Sequence, residues 1–104
     1  MNRTIKPAEL KPMLSQVTVL DVRRKADYDA DAQKIAGATW KDPEQVALWS
    51  DTLPKDKDIV IYCARGGSVS NSVVDHLRGK NLKAGFIDGG IEAWKKEGGA
   101  TASK

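Results

Sequence analysis

With 104 residues, 40% hydrophobic and 30% charged, the chain is sized for a single domain over 1–104, and no stretch approaches the roughly 18 apolar residues of a membrane span. One cysteine excludes an internal disulfide and residues 1–7 lack the apolar core of a secretory signal, so a cytoplasmic protein is the simplest expectation, although a chain trimmed of its leader would read the same way. The net charge of +3 comes from scattered lysines without a Lys/Arg block or interleaved aromatics, which argues against nucleic-acid binding and leaves a mild positive field to steer small anions.

Residues 7–14 read as a short first helix with Pro7 in its first turn and Pro12 interrupting its bonding. Residues 18–22 read as a strand ending at Asp21 and Arg23, and 24–31 as a short polar helix carrying Tyr28. An edge strand is expected over 35–38. Residues 42–49 form a further helix, with Asp42 as N-cap, Pro43 in the first helical position, and Val46 and Trp49 turned to the sheet. A charged loop over 53–58 leads into Ile59-Val60-Ile61, whose unbroken apolarity suits a strand buried on both faces. Val69, Val73, Val74 and Leu77 then make one apolar face of a helix that stops near Gly79. A last strand over 84–87, a turn at Asp88-Gly89-Gly90 and a helix over 91–97 follow, and 100–104 is expected to fray. Strands alternating with helices predict an α/β fold: a small central, mostly parallel sheet with helices on both faces.

The rest of the chain is organised around residues 58–70, where Cys63 lies between a strand end and a helix N-terminus. Helix N-termini carry unpartnered N–H groups and partial positive charge, so an anion is favoured there. Gly66 and Gly67 are expected to take positive φ and turn successive N–H groups inward, and Arg65 adds a full charge. Such surroundings lower a thiol from about 8.5 into the roughly 3.5–7.5 range of activated cysteines. Without that loop, a lone cysteine after an apolar strand reads as a small buried hydrophobe.

These residues resemble the rhodanese family, specifically the small single-domain sulfurtransferases. Leu20-Asp21-Val22-Arg23 with Tyr28 and Ile35-Ala36-Gly37-Ala38 is similar to the family's N-terminal motif, Cys63 to Ser68 to its six-residue active-site loop, and Asp88-Gly89-Gly90-Ile91-Glu92-Ala93-Trp94 to its C-terminal signature. The matches are in order and span residues 18–98. Lys34 and Ala36 depart from the family's usual histidine and proline. Thiosulfate-using members often end the loop on arginine; here Ser68 stands last and the arginine is Arg65, while a terminal hydroxyl is similar to the mercaptopyruvate-using branch. Related phosphatases and arsenate reductases use a loop one residue longer, with arginine six positions after the cysteine, where this chain has Val69.

The resemblance implies a two-step transfer: Cys63 takes the outer sulfur of an anionic donor, most simply thiosulfate, and passes it from a persulfide to a thiol, to cyanide or to a sulfur-carrier protein. Ala64, Arg65, Gly66, Gly67 and Ser68 are expected to bind the anion, with the Arg65 side chain turned inward. The resemblance also places Arg23 near the pocket and gives Asp21 the bracing of the loop; an ordinary surface ion pair of Asp21 and Arg23 is the alternative. No cofactor is called for. A metal site is not expected from one cysteine and one histidine, and His76, mostly a helix away from Cys63 at about 1.5 Å per residue, is too distant to be its base. Trp40, Trp49 and Trp94 are spaced as packing residues. The competing reading is a rhodanese-type module that binds a partner or senses oxidants without turnover.

Overall fold

In β5 (Ile59–Tyr62) every residue is buried, and successive side chains go to opposite faces of the sheet. Ile59 and Ile61 join one apolar cluster and Val60 and Tyr62 the other. The computed structural model describes residues 2–104; Met1, counted in the single-domain and leader readings, lies outside them.

The neighbours of β5 in the sheet are β2 (Thr18–Asp21) and β6 (Ala84–Ile87). β2 runs parallel on one side, pairing Asp21 with Tyr62, and β6 runs parallel on the other. β1 (Thr4–Ile5) and β4 (Thr39–Trp40) complete a parallel sheet of order β1-β6-β5-β2-β4. The expected parallel α/β sheet is therefore present.

Helices cover both faces. α3 (Val46–Trp49) and α4 (Ser68–Gly79) pack Val46, Trp49, Val73, Val74 and Leu77 against Leu20, Ile59, Ile61 and Phe86. α1 (Pro7–Leu10) and α5 (Gly90–Lys96) press Leu10, Ile91 and Trp94 onto Val19, Val60 and Tyr62. α2 (Lys25–Ala30) buries no residue and crosses from β2 to the sheet edge.

Four boundaries differ from expectation; one is the helix expected over 42–49, which opens as a 3-10 turn over Pro43–Gln45 and is α-helical only from Val46. The first helix gives way at Lys11 to a 3-10 segment, Lys11–Gln16, because Pro12 has no N–H to continue the α ladder. The apolar run 35–38 is not the edge strand: Gly37, at φ +82°, turns the chain, so that β3 (Gln33–Ile35) leaves the main sheet and β4 forms its edge. The last residues do not fray. β7 (Thr101–Ser103) pairs antiparallel with β3, and Trp94 Nε1 donates to the Ala100 carbonyl at 3.0 Å, anchoring the segment to α5.

Candidate active site

The chain leaves β2 toward β4 on one side and leaves β5 toward β6 on the other. In an open parallel sheet, the crevice at the carboxyl ends of two such adjacent strands is where sites collect. Cys63 is the first residue beyond β5 at that point.

Its sulfur completes a helix terminus. α4 begins at Ser68 behind Gly67, an N-cap with no side chain to accept from the first turn. The N–H groups of Gly67, Arg65 and Ser70 point to Cys63 Sγ instead, and the Ser70 hydroxyl donates to it at 3.0 Å. Burial pushes the thiol up, since only 7% of the residue is exposed, but the Ser70 hydroxyl and these three N–H groups outweigh it and hold the thiol below its ordinary value. The arrangement stabilises negative charge on sulfur without a cationic side chain in contact.

The loop owes its shape to the opposing signature. Gly66 has φ +72° and packs where a side chain would meet the Gly89 N–H and the Ile87 carbonyl. Gly90, at φ +65°, lies so close that an added Cβ would come within 2.4 Å of the Cys63 carbonyl oxygen. The first N–H groups of α5 then hold the loop, Ile91 donating to the Cys63 carbonyl at 3.0 Å and Glu92 to the Ala64 carbonyl at 3.2 Å. Gly67, expected at positive φ, has φ −93° and open space around its Cα.

Asp21 and Arg23 form a buried pair, not a surface one. Arg23 is 2% exposed; its Nε and Nη2 grip the Asp21 carboxylate, Nη1 reaches Asp31 at 2.9 Å, and Nη2 also reaches the Gln33 carbonyl. Asp21 in turn accepts from the Tyr62 hydroxyl at 3.0 Å, and that hydroxyl accepts from the Ile35 N–H. Burial and the Asp21 charge drive the Tyr62 phenol far above its usual range, so it stays protonated. Asp21, expected to brace the loop, makes no hydrogen bond to it and instead accepts from Tyr62, the residue before Cys63. Arg23, expected near the pocket, lines a depression with Ala64, Ile91, Glu92 and Lys95, yet its nitrogens are engaged by protein oxygens.

Of the five loop residues expected to bind the anion, Arg65 and Gly67 bring N–H groups to the sulfur. The Arg65 side chain does not point inward: it is 82% exposed and its Nε donates to Glu92 at 3.1 Å. Ser68 is exposed and lines a depression of about 320 Å³ with Arg24, Pro43, Glu44 and Val69. His76 contacts Ser50 at 3.5 Å near the far end of α4. Among the described residues, no group of three His, Cys, Asp or Glu side chains is placed to hold a metal ion, and no helix is long and apolar enough to cross a membrane. Ser70 was not singled out from the sequence. Its signal was present: a hydroxyl residue in the third helical position after a glycine N-cap, whose side chain lies beside the anion that caps the turn.

Residues 6–97 match the Rhodanese-like domain. A tRNA sulfurtransferase of Desulfurococcus amylolyticus is 34% identical over 77 residues, which are 74% of this chain and 14% of that protein. The thiosulfate sulfurtransferase GlpE of Coxiella burnetii is 31% identical over 80 residues, 76% of this chain and 72% of the relative. Among solved structures, a rhodanese-related protein from Thermoplasma volcanium superposes with a TM-score of 0.88 at 27% identity, covering 99% of this chain and 100% of the other. The rhodanese-like domain of the Alr3790 protein from Anabaena sp. gives 0.80 at 32% identity, covering 100% and 81%. Because the family match takes in β5, the cysteine loop and the glycine turn that packs against it, the chain belongs to the rhodanese-like family.

Proposed function

We propose that the chain is a sulfurtransferase in which Cys63 carries sulfur as a persulfide. The observation that carries this reading is the lowered Cys63 thiol, capped by three N–H groups and the Ser70 hydroxyl at a helix N-terminus. With thiosulfate, the Cys63 thiolate attacks the outer sulfur, a new S–S bond forms, and sulfite departs with the electrons of the bond that breaks. The resulting persulfide is an anion, and the same N–H groups serve it. An acceptor nucleophile, a thiol or cyanide, then attacks the outer sulfur and Cys63 leaves as thiolate. A sulfur-carrier protein is a further acceptor of the right chemistry.

Thiosulfate is the proposed donor, supported by the 31% identity to GlpE and by the small positive net charge. Mass spectrometry after incubation with thiosulfate should show one added sulfur atom on Cys63 and none on Cys63→Ala. Absence of the adduct with thiosulfate, mercaptopyruvate and every other donor tried defeats the proposal. An alkylation profile with an ordinary thiol midpoint would favour a binding module instead.

A further inference from the structure

We infer that Ser70 is a catalytic residue that acts chiefly on the second half of the transfer, by stabilising Cys63 as the leaving group. The inference rests on the sulfurtransferase reading. Ser70 is fully buried, its Oγ donates to Cys63 Sγ at 3.0 Å, and it sits on α4, where a side chain has little freedom to move. The three N–H groups belong to the loop and the helix start. The hydroxyl is the one side-chain donor on Sγ among the described residues.

A donor aimed at Sγ interacts most strongly when Sγ carries the charge. In the free enzyme Sγ is a thiolate. In the persulfide, charge has moved to the outer sulfur and Sγ is a neutral divalent atom. During discharge to cyanide the outer sulfur bonds to carbon, the S–S bond breaks, and its electron pair returns to Sγ, so thiocyanate leaves and the thiolate is restored. The Ser70 bond strengthens along this step and lowers its barrier, because it is worth more in the transition state than in the ground state. Loading runs the other way. The thiolate loses charge as it attacks thiosulfate, so the same bond raises the thiolate population at neutral pH without helping its attack. Ser70 therefore biases the enzyme toward the unloaded thiolate and against accumulation of the persulfide.

The test separates the half-reactions of the whole chain by rapid mixing. Loading is measured with thiosulfate at a pH where the thiolate is fully formed, and discharge by mixing isolated persulfide with cyanide. Ser70→Ala should slow discharge at least about tenfold, the size expected for a hydrogen bond to a developing charge, while loading at that pH is unchanged or faster. The persulfide should then accumulate at steady state, and Ser70→Thr, which keeps the hydroxyl, should restore discharge. Should the alanine variant fold poorly, Ser70→Gly removes the same hydroxyl. Equal losses in both half-reactions, no loss in either, or a threonine variant as slow as alanine overturns the assignment. Wild-type protein that forms no persulfide overturns the sulfurtransferase reading itself, and this inference with it.

Discussion

Arg65 Nε donates to Glu92 Oε2 at 3.1 Å, so the loop's cationic side chain is tied to the first turn of α5 while its backbone N–H serves the Cys63 sulfur. The two functions of one residue are separable. Because the pair lies in solvent, it is screened and weak, and removing the side chain leaves the sulfur's four donors in place. Arg65→Ala should leave the Cys63 alkylation midpoint unchanged and lower kcat/KM for thiosulfate by no more than about fivefold, the upper end for an exposed charge contact. Glu92→Gln releases the guanidinium and should raise kcat/KM modestly, an effect that disappears in the double variant and at high salt. A large rise in the thiol midpoint for Arg65→Ala would show that the side chain does turn inward.

The glycines of the site should divide sharply. Gly90→Ala places a Cβ at 2.4 Å from the Cys63 carbonyl and requires φ +65°, so it should cost more than about 2 kcal/mol and distort the loop. Gly66→Ala, with φ +72° and a closest contact of 3.0 Å, should cost about 1–2 kcal/mol. Gly67→Ala meets nothing but puts a poor N-cap residue at the start of α4, and should cost only about 1 kcal/mol or less. Thermal unfolding orders the three; a Gly67 variant as damaged as Gly90 would mean the N-cap geometry is misread.

The sulfur's pH dependence has a definite sign. Burial opposes ionisation of Cys63, but the Ser70 hydroxyl and the N–H groups of Gly67, Arg65 and Ser70 prevail, so the folded thiol ionises below the unfolded one. The thiolate therefore contributes stability that is present above the unfolded thiol value of about 8.5 and is lost as pH falls through the lower folded value. Iodoacetamide reactivity should rise with a midpoint below about 8.5, and Ser70→Ala should move that midpoint up. A wild-type midpoint at the free-thiol value would contradict the capping geometry.

The sheet and its site edge were legible because Ile59-Val60-Ile61 is apolar on both faces and Cys63 follows it at once; a doubly covered parallel strand leaves little else for such a run to be. Asp88-Gly89-Gly90 was legible as a turn and as part of the C-terminal signature, but its packing on the cysteine loop, where an added Gly90 Cβ would come within 2.4 Å of the Cys63 carbonyl, is a contact between segments 27 residues apart and has no local signal. Arg65 was misplaced because charge alone was used to orient it: Glu92 competes for the guanidinium from α5, and only the tertiary fold brings the two together. The tail was misjudged for the same kind of reason, since Thr101–Ser103 gains its partners from β3 and not from its own composition.

The buried ion pair behind the site predicts a large asymmetry. Asp21→Asn would leave the Arg23 guanidinium buried beside a neutral amide, and removing one member of a buried pair costs about 3–5 kcal/mol. Tyr62→Phe removes only the hydroxyl that bridges Asp21 and the Ile35 N–H, and should cost about 1–3 kcal/mol. Urea unfolding distinguishes them. Equal losses would place the energy in the Tyr62 bridge and not in the ion pair.

Asp31 gives that network an acid limit. Burial raises its carboxyl, but Lys95 Nζ at 2.7 Å, the Gln33 N–H and Arg23 bring it down to about 2. The unfolded carboxyl titrates near 3.9, so the unfolded chain binds the proton more tightly. Stability from this group is complete above about pH 4 and drains as pH falls through 2. A shift of nearly two units corresponds to about 2.5 kcal/mol at most, and with the side chain 23% exposed, solvent screening reduces this to about 1–2 kcal/mol. Asp31→Asn should therefore be less stable than wild type by about 1–2 kcal/mol at pH 7, and the gap should close as pH approaches 2. Urea unfolding at both pH values checks it: a gap that stays constant would assign the loss to the Asp31 hydrogen bonds and not to its charge.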